Sequence, residues 1–162
     1  MTIIDDAITL EERARSYYAD AAERVTDPSG KRILDLLAKE EERHAQVLEK
    51  MRAGDYEELG SSSLISEVKG LVEGAVKEGK DAISSDHSLH EMLQKAMEIE
   101  QATKSFYEEK GSTATDPKEK ELFGLLSEQE LGHYLLVSGL VEYFDRPAEW
   151  IESAEFGLRP EY

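Results

Sequence analysis

The chain contains no cysteine, and this absence excludes several kinds of site at once. Disulfide bonds, thiolate-bound zinc, iron–sulfur clusters and sulfur-ligated single iron ions all require cysteine. The sequence also lacks an apolar stretch near its start, because Ile3 and Ile4 are followed at once by two aspartates. With neither disulfides nor a signal sequence to indicate export, we expect a cytoplasmic protein.

Positive charge is scarce: 19 lysines and arginines stand against 36 aspartates and glutamates, for a net charge of −17. Nucleic acid and anionic membranes repel such a chain, so we expect it to bind neither. No apolar run approaches the roughly 20 residues that a membrane-spanning helix needs. At 162 residues, the chain is long enough for one domain with a substantial core.

Apolar residues recur at spacings of three and four, which predicts an all-α protein with long amphipathic helices. Two Asp-Pro pairs, at residues 27–28 and 116–117, have the form of a helix N-cap followed by proline in the first turn. Gly54 is expected to end the second helix in a left-handed conformation. The pattern of Ser88 and Glu91 is that of a capping box and predicts the start of the third long helix.

Short loops within each half of the chain, and a long connection between the halves, predict a ferritin-like four-helix bundle made of two helical hairpins. The predicted segments are the hairpins 2–53 and 88–144, the crossover 54–87 with a short helix at 64–77, and a tail at 147–162 outside the bundle domain 1–146. The tail contains Trp150 and is expected to pack on the bundle or on a partner subunit.

The two halves carry the same motif. The stretch Ala7–Leu48 recurs 89 positions later as Ala96–Val137, and each copy has Glu, then Tyr at +7, then Asp-Pro, then Glu-x-x-His. The first copy contains Glu11, Tyr18, Asp27, Pro28, Glu41 and His44, and the second contains Glu100, Tyr107, Asp116, Pro117, Glu130 and His133. Since glutamate is so abundant here, one Glu-x-x-His motif alone is close to chance.

Position and depth make the repeated motif informative. Its glutamates and histidines occupy core positions of the helical stripes, where unpaired carboxylates would cost several kcal/mol each. Glu11 lies 16 residues before Asp27 and Glu41 lies 14 after it, so the two reach the same level of an antiparallel hairpin. Competing glutamates are removed by the repeat, since positions 12, 98 and 40 correspond to Gln101, Thr9 and Gln129.

These residues predict a site for two metal ions, each liganded by carboxylates and one histidine, although an accidental polar core is the alternative. The predicted ligands are Glu11, Glu41, His44, Glu100, Glu130 and His133, with Glu41 and Glu130 bridging the ions. Oxygen and imidazole ligands without sulfur suit iron or manganese, and zinc less well. Tyr18 and Tyr107 are expected to hydrogen-bond ligand carboxylates, unless they are ordinary core tyrosines. His87 and His90 are expected to be surface residues.

At these motifs the chain resembles the rubrerythrin branch of the ferritin-like superfamily. The likeness rests on Glu11, Tyr17-Tyr18, Asp27-Pro28, the run 37–44 and their second-half counterparts, and it covers nearly all of the chain. It implies a non-haem di-iron oxidoreductase that reacts with hydrogen peroxide or dioxygen. The same six ligands and two supporting tyrosines follow from the resemblance.

Two departures from the rubrerythrin pattern bear on function. Rubrerythrins carry a cysteine-rich rubredoxin domain, whereas this sequence contains no cysteine. An external electron donor, such as a rubredoxin-type protein, is therefore expected. Rubrerythrins also have an extra glutamate where this chain has Thr103, which weakens the peroxidase assignment in particular. The alternatives are a ferroxidase or iron-storage protein of ferritin type and a redox-silent, metal-stabilised structural bundle. A homodimer, with hairpins exchanged or not, is the expected assembly.

Overall fold

Both helices of the first hairpin begin at a residue whose side chain caps the helix. The computed structural model describes residues 2–77 and 87–145. Helix α1, Ile3–Arg24, begins after Thr2, whose hydroxyl accepts a hydrogen bond from the backbone of Asp5 at 3.1 Å. Helix α2, Pro28–Arg52, begins after Asp27, whose carboxylate accepts a hydrogen bond from the Gly30 N–H at 2.7 Å. The predicted Asp-Pro start of the second helix is therefore confirmed.

The second hairpin consists of helix α4, His87–Thr113, and helix α5, Pro117–Asp145. The carboxylate of Asp116 accepts a hydrogen bond from the Lys118 N–H at 2.9 Å, so the second Asp-Pro pair also caps a helix. Helix α4 begins at His87, one residue before the predicted start at Ser88, so Ser88 lies within its first turn. Serine is accepted in a first turn as well as before it, so the pattern alone misplaces the start.

The crossover begins at Gly54, whose positive φ of 86° confirms the predicted left-handed end of α2. After a stretch without regular secondary structure comes helix α3, Leu64–Lys77, at the predicted position. Leu64, Val68 and Val72 bury its apolar face in the core, and α3 contacts both α2 and α5. The crossover is thereby held against α2 and α5, one helix from each hairpin.

The four long helices enclose two apolar clusters with a polar layer between them. One cluster contains Tyr18, Leu37 and Val137, and the other contains Tyr107 and Leu126. Buried glutamates and histidines occupy the level that separates the clusters. Water is kept from this layer on both sides by close-packed side chains.

The described part of the chain thus forms the predicted all-α bundle of two hairpins with a long crossover. Contacts are dense within the α1–α2 and α4–α5 pairs and sparse between them. None of the helices in the described ranges is both long and apolar enough to cross a bilayer. The tail 147–162, for which packing on the bundle or a partner was predicted, lies outside the described residues.

Candidate metal centre

The structure brings all six predicted ligand residues together in the polar layer. Each has a fractional exposure of 2% or less, although each carries an ionisable group. They come from all four long helices: Glu11 from α1, Glu41 and His44 from α2, Glu100 from α4, and Glu130 and His133 from α5. The helical stripe and the matched distance from each Asp-Pro cap account for this convergence.

His44 turns its Nδ1 atom toward the carboxylates. That nitrogen lies 2.9 Å from Oε1 of Glu130, 3.3 Å from Oε1 of Glu11 and 3.6 Å from Oε2 of Glu41. Because an imidazole nitrogen and three carboxylate oxygens meet at one point, this half of the layer has the composition of a metal site.

His133 makes the equivalent arrangement on the other side. Its Nδ1 atom lies 3.3 Å from Oε1 of Glu41, and 3.5 Å from Oε2 of both Glu100 and Glu130. The rings of His44 and His133 are stacked, with centroids 5.6 Å apart and planes within 4°. Glu41 and Glu130 belong to both groups of potential ligands, which supports the prediction that they bridge two ions.

The two tyrosines connect opposite halves of the bundle. The Tyr18 hydroxyl donates a hydrogen bond to Oε1 of Glu100 at 2.6 Å, and the Tyr107 hydroxyl donates one to Oε1 of Glu11 at 2.5 Å. Both phenols are fully buried. The predicted hydrogen bonds across the bundle are confirmed, and each fixes the carboxylate of one half from the other half.

The two shared carboxyl groups retain their protons when no cation is near. Burial raises the pKa of Glu41 well above its usual range, and the charges of Glu100 and Glu130 raise it further. Burial, together with the charges of Glu100 and Glu11, raises the pKa of Glu130 to about 8. Four carboxylates this close cannot all ionise without compensating positive charge.

The other two carboxyl groups are ionised and pair with protonated histidines. Burial acts to raise the pKa of Glu100, but its contacts with Glu130 and His133 lower it to about 2. Burial acts the same way on Glu11, and the charge of His44 lowers its pKa. Burial alone would lower the pKa of both imidazoles. Glu11 beside His44 and Glu100 beside His133 instead raise those pKa values well above the ordinary range.

The residues present fit a pair of cations. Buried atoms without a hydrogen-bond partner include both oxygens of Glu41, one oxygen each of Glu11, Glu100 and Glu130, and both ring nitrogens of His133. A buried polar atom without a partner is costly, so such a concentration indicates a bound group that would satisfy it. Four ionised carboxylates and two divalent cations would give a neutral layer.

A polar rim that sequence analysis did not predict covers one side of this layer. Glu40 is only 8% exposed, and its Oε2 atom lies 4.0 Å from Nε2 of His133. Arg43 donates hydrogen bonds to Glu40 at 2.8 Å and to Gln129 at 2.5 Å, and it also reaches the Gly60 carbonyl at 2.9 Å. The charges of Glu40 and Arg43 at a spacing of three were the available signal.

Apart from Glu40, the described acidic and histidine residues that the sequence does not favour as ligands do not join the centre. Glu12 and Glu98 are exposed, and His90 is partly buried but belongs to none of the ligand groups found in the described ranges. The side chain of His87 lies outside the described residues. Thr103 is buried, and its hydroxyl donates to the Ile99 carbonyl of its own helix at 2.9 Å, so it offers the site no carboxylate.

Comparison with known families agrees with this geometry. The family model for rubrerythrin matches residues 2–141, which include every residue of the buried layer. The chain belongs to the rubrerythrin family. It matches no curated protein and no solved structure. Membership confirms the ferritin-like fold, and the rubrerythrin family carries di-iron sites, consistent with the buried carboxylate–histidine clusters of this chain.

Removal of one phenol tests how strongly the cross-bundle hydrogen bonds stabilise this rubrerythrin-family fold. Tyr18→Phe should lower the free energy of unfolding by about 1.5–3 kcal/mol, because the hydroxyl donates to a buried, ionised carboxylate. Tyr17→Phe is the matched control, since that hydroxyl donates to the neutral Met92 carbonyl at 3.2 Å, and about 1 kcal/mol is expected. Urea denaturation in the presence of a chelator measures both, and equal losses would contradict the prediction.

Proposed function

We propose that this rubrerythrin-family protein is a di-iron oxidoreductase that reduces hydrogen peroxide to water. The observation that carries the proposal is the pair of overlapping ligand groups, each with three carboxylates and one histidine, buried between apolar clusters. Iron is favoured because the available ligands are oxygen and imidazole nitrogen with no sulfur. Manganese would also suit these ligands, whereas zinc suits them less well and has no redox chemistry.

The chain's own residues would hold the ions and keep water out. Glu11 and His44 would serve one ion, Glu100 and His133 the other, and the shared carboxylates Glu41 and Glu130 both. When bound, two ferrous ions would each supply one electron to the oxidant. The overall reaction is H₂O₂ + 2 e⁻ + 2 H⁺ → 2 H₂O, with the electrons restored afterwards by the donor.

The phenols would keep Glu11 and Glu100, the carboxylates that serve one ion each, in position throughout the cycle. Burial raises the pKa of Tyr18 well above 10, and the charge of Glu100 raises it further. Burial and the charge of Glu11 do the same for Tyr107. Both hydroxyls therefore remain hydrogen-bond donors at neutral pH. Small buried side chains at Ala7, one turn before Glu11, and at Ala96 leave space beside the ligands.

We propose that the electrons come from another molecule, because no cysteine in this sequence could ligate an iron–sulfur centre. A rubredoxin-type protein in the cytoplasm is the proposed donor. A homodimer is the proposed assembly, with the aromatic tail or an exchanged hairpin forming the contact. Dioxygen is the second oxidant that such a centre would accept.

The proposal is tested by anaerobic loading with ferrous iron followed by one equivalent of peroxide or of dioxygen. Oxidation followed by stopped-flow absorbance should be clearly faster with peroxide. Oxidation by peroxide that is no faster than by dioxygen would count against peroxidase activity. Iron that stays ferrous with both oxidants would instead favour a redox-silent structural bundle.

Thr103 favours one second candidate, a ferroxidase or iron-storage protein of ferritin type. Because Thr103 supplies no carboxylate, each half offers the same number of ligands, and no spare ligand is available on α4 to follow a change in oxidation state. A ferroxidase would oxidise ferrous iron with dioxygen and release it. Storage would appear as iron well above two per chain in a large assembly, so a dimer seen by size-exclusion chromatography would contradict storage.

A further inference from the structure

In the polar layer, the two histidines make equivalent contacts with the carboxylates but different contacts with the rim. Both histidines present Nδ1 to the carboxylates, so both point Nε2 toward the rim. Nε2 of His44 lies 2.9 Å from Oε1 of Gln129, whereas Nε2 of His133 lies 4.0 Å from Oε2 of Glu40. Positions 40 and 129 are equivalent in the repeat, yet one carries a carboxylate and the other an amide.

Glu40 is held beside His133 by partners on its outer side. Ser62 donates to its Oε1 at 2.6 Å, while Arg43 donates to its Oε2 at 2.8 Å and 3.2 Å. Gln129 is held in a similar way, since its amide donates to the Gly60 carbonyl at 2.8 Å. Both rim groups are therefore fixed in orientation by the crossover that runs over this side of the bundle.

His133 itself points to a role for this contact. Its Nε2 atom is buried, has no hydrogen-bond partner and faces the Glu40 carboxylate. A histidine that binds a metal through Nδ1 carries its proton on Nε2. A carboxylate facing that N–H makes the imidazole a stronger electron donor to the metal, and a neutral amide does so less.

We propose that Glu40 makes the two ion positions unequal, so that the ion held by His133 binds more tightly than the ion held by His44. Glu40 also lies close enough to His44 and His133 to form a third possible ligand group. Because Ser62 and Arg43 already hydrogen-bond its two oxygens, we assign it as a positioning residue that acts through His133. The inference rests on the proposed di-metal site and adds that loading is sequential. The order is set by the rim and not by the ligands, which are the same in both halves.

Titration of the metal-free protein with Co²⁺, followed by calorimetry and visible absorbance, tests the proposal. The wild-type chain should bind two ions in two resolved steps. Glu40→Gln should weaken the tighter step about tenfold, which is the lower end of the usual effect of such outer partners. Gln129→Glu should instead tighten the weaker step, and Glu67→Gln, which removes an exposed carboxylate beside Ser63, should change neither.

The assignment to particular ions uses the ligand histidines. In the wild-type chain, His133→Ala should remove the tighter step and His44→Ala the weaker one, whereas in the double variant Glu40→Gln, Gln129→Glu the order should reverse. Two ions bound with constants that Glu40→Gln leaves within about twofold would overturn this inference, since an outer partner should change affinity by tenfold or more. Fewer than two ions bound by the wild-type chain would overturn the di-metal proposal itself.

Discussion

Replacing both Glu41 and Glu130 with glutamine is expected to abolish the binding of both metal ions and to leave the metal-free bundle folded. Burial and neighbouring charge already keep these two carboxyl groups protonated when no cation is present. A glutamine amide has nearly the shape and the charge of a protonated carboxyl group, so the empty fold should lose little stability. An amide cannot bridge two cations as a carboxylate does, so loading should fail.

The readouts are metal content after anaerobic iron loading and the melting temperature with and without metal. Wild-type protein should retain two ions and gain stability on loading, by about 2.7 kcal/mol for each site at a hundredfold excess over its Kd. The matched control is Glu42→Gln with Glu128→Gln, which removes two carboxylates from the exposed faces of the same helices. If the double bridge variant still binds two ions, the assigned site is wrong.

Loading the centre with two divalent ions at pH 7 should release about four protons. The protons come from the groups whose pKa is raised in the empty site: Glu41, Glu130, His44 and His133. Each ligand must lose its proton to bind a cation, so affinity rises with pH. The overall constant for two ions should fall by roughly four orders of magnitude when the pH is lowered from 7 to 6.

The number of protons released should change near pH 8, because the pKa of Glu130 lies at about 8. Above pH 8, Glu130 is ionised before the metal arrives, so the count should decrease from about four protons to about three. Calorimetric titration in buffers of different ionisation enthalpy gives the number of protons directly. A release of one proton or fewer at pH 7 would mean that these four groups are not protonated in the metal-free protein.

The fold and the convergence of the six candidate ligand residues were predictable because they depend on local periodicity and on chain distances. The position of Glu11 before Asp27, and of Glu41 after it, places both at one level once the hairpin closes. The tyrosine hydrogen bonds followed from the same helical faces. The start of α4 differs from the prediction by one residue, because a cap pattern and a first-turn pattern share the same residue types.

The rim could not be predicted from the same reasoning. Ser62 and the Gly60 carbonyl reach Glu40 and Arg43 only because the crossover returns over α2 and α5, and no periodicity encodes that path. The repeat gave reason to set Glu40 aside, since its counterpart is glutamine. The structure shows that this difference lies beside the two candidate ligand histidines, so a mismatch in a repeat can be as informative as a match.

Three hydrogen bonds of the centre join one half of the chain to the other. Tyr18 donates to Glu100, Tyr107 donates to Glu11, and Nδ1 of His44 lies within hydrogen-bond distance of Glu130. A peptide of one hairpin alone would carry three of the six ligands and a phenol with no carboxylate to meet. Such a half-chain could complete the site only by pairing with another half. The present protein is therefore, in physical terms, two hairpins that complete one site only together and that the crossover links covalently.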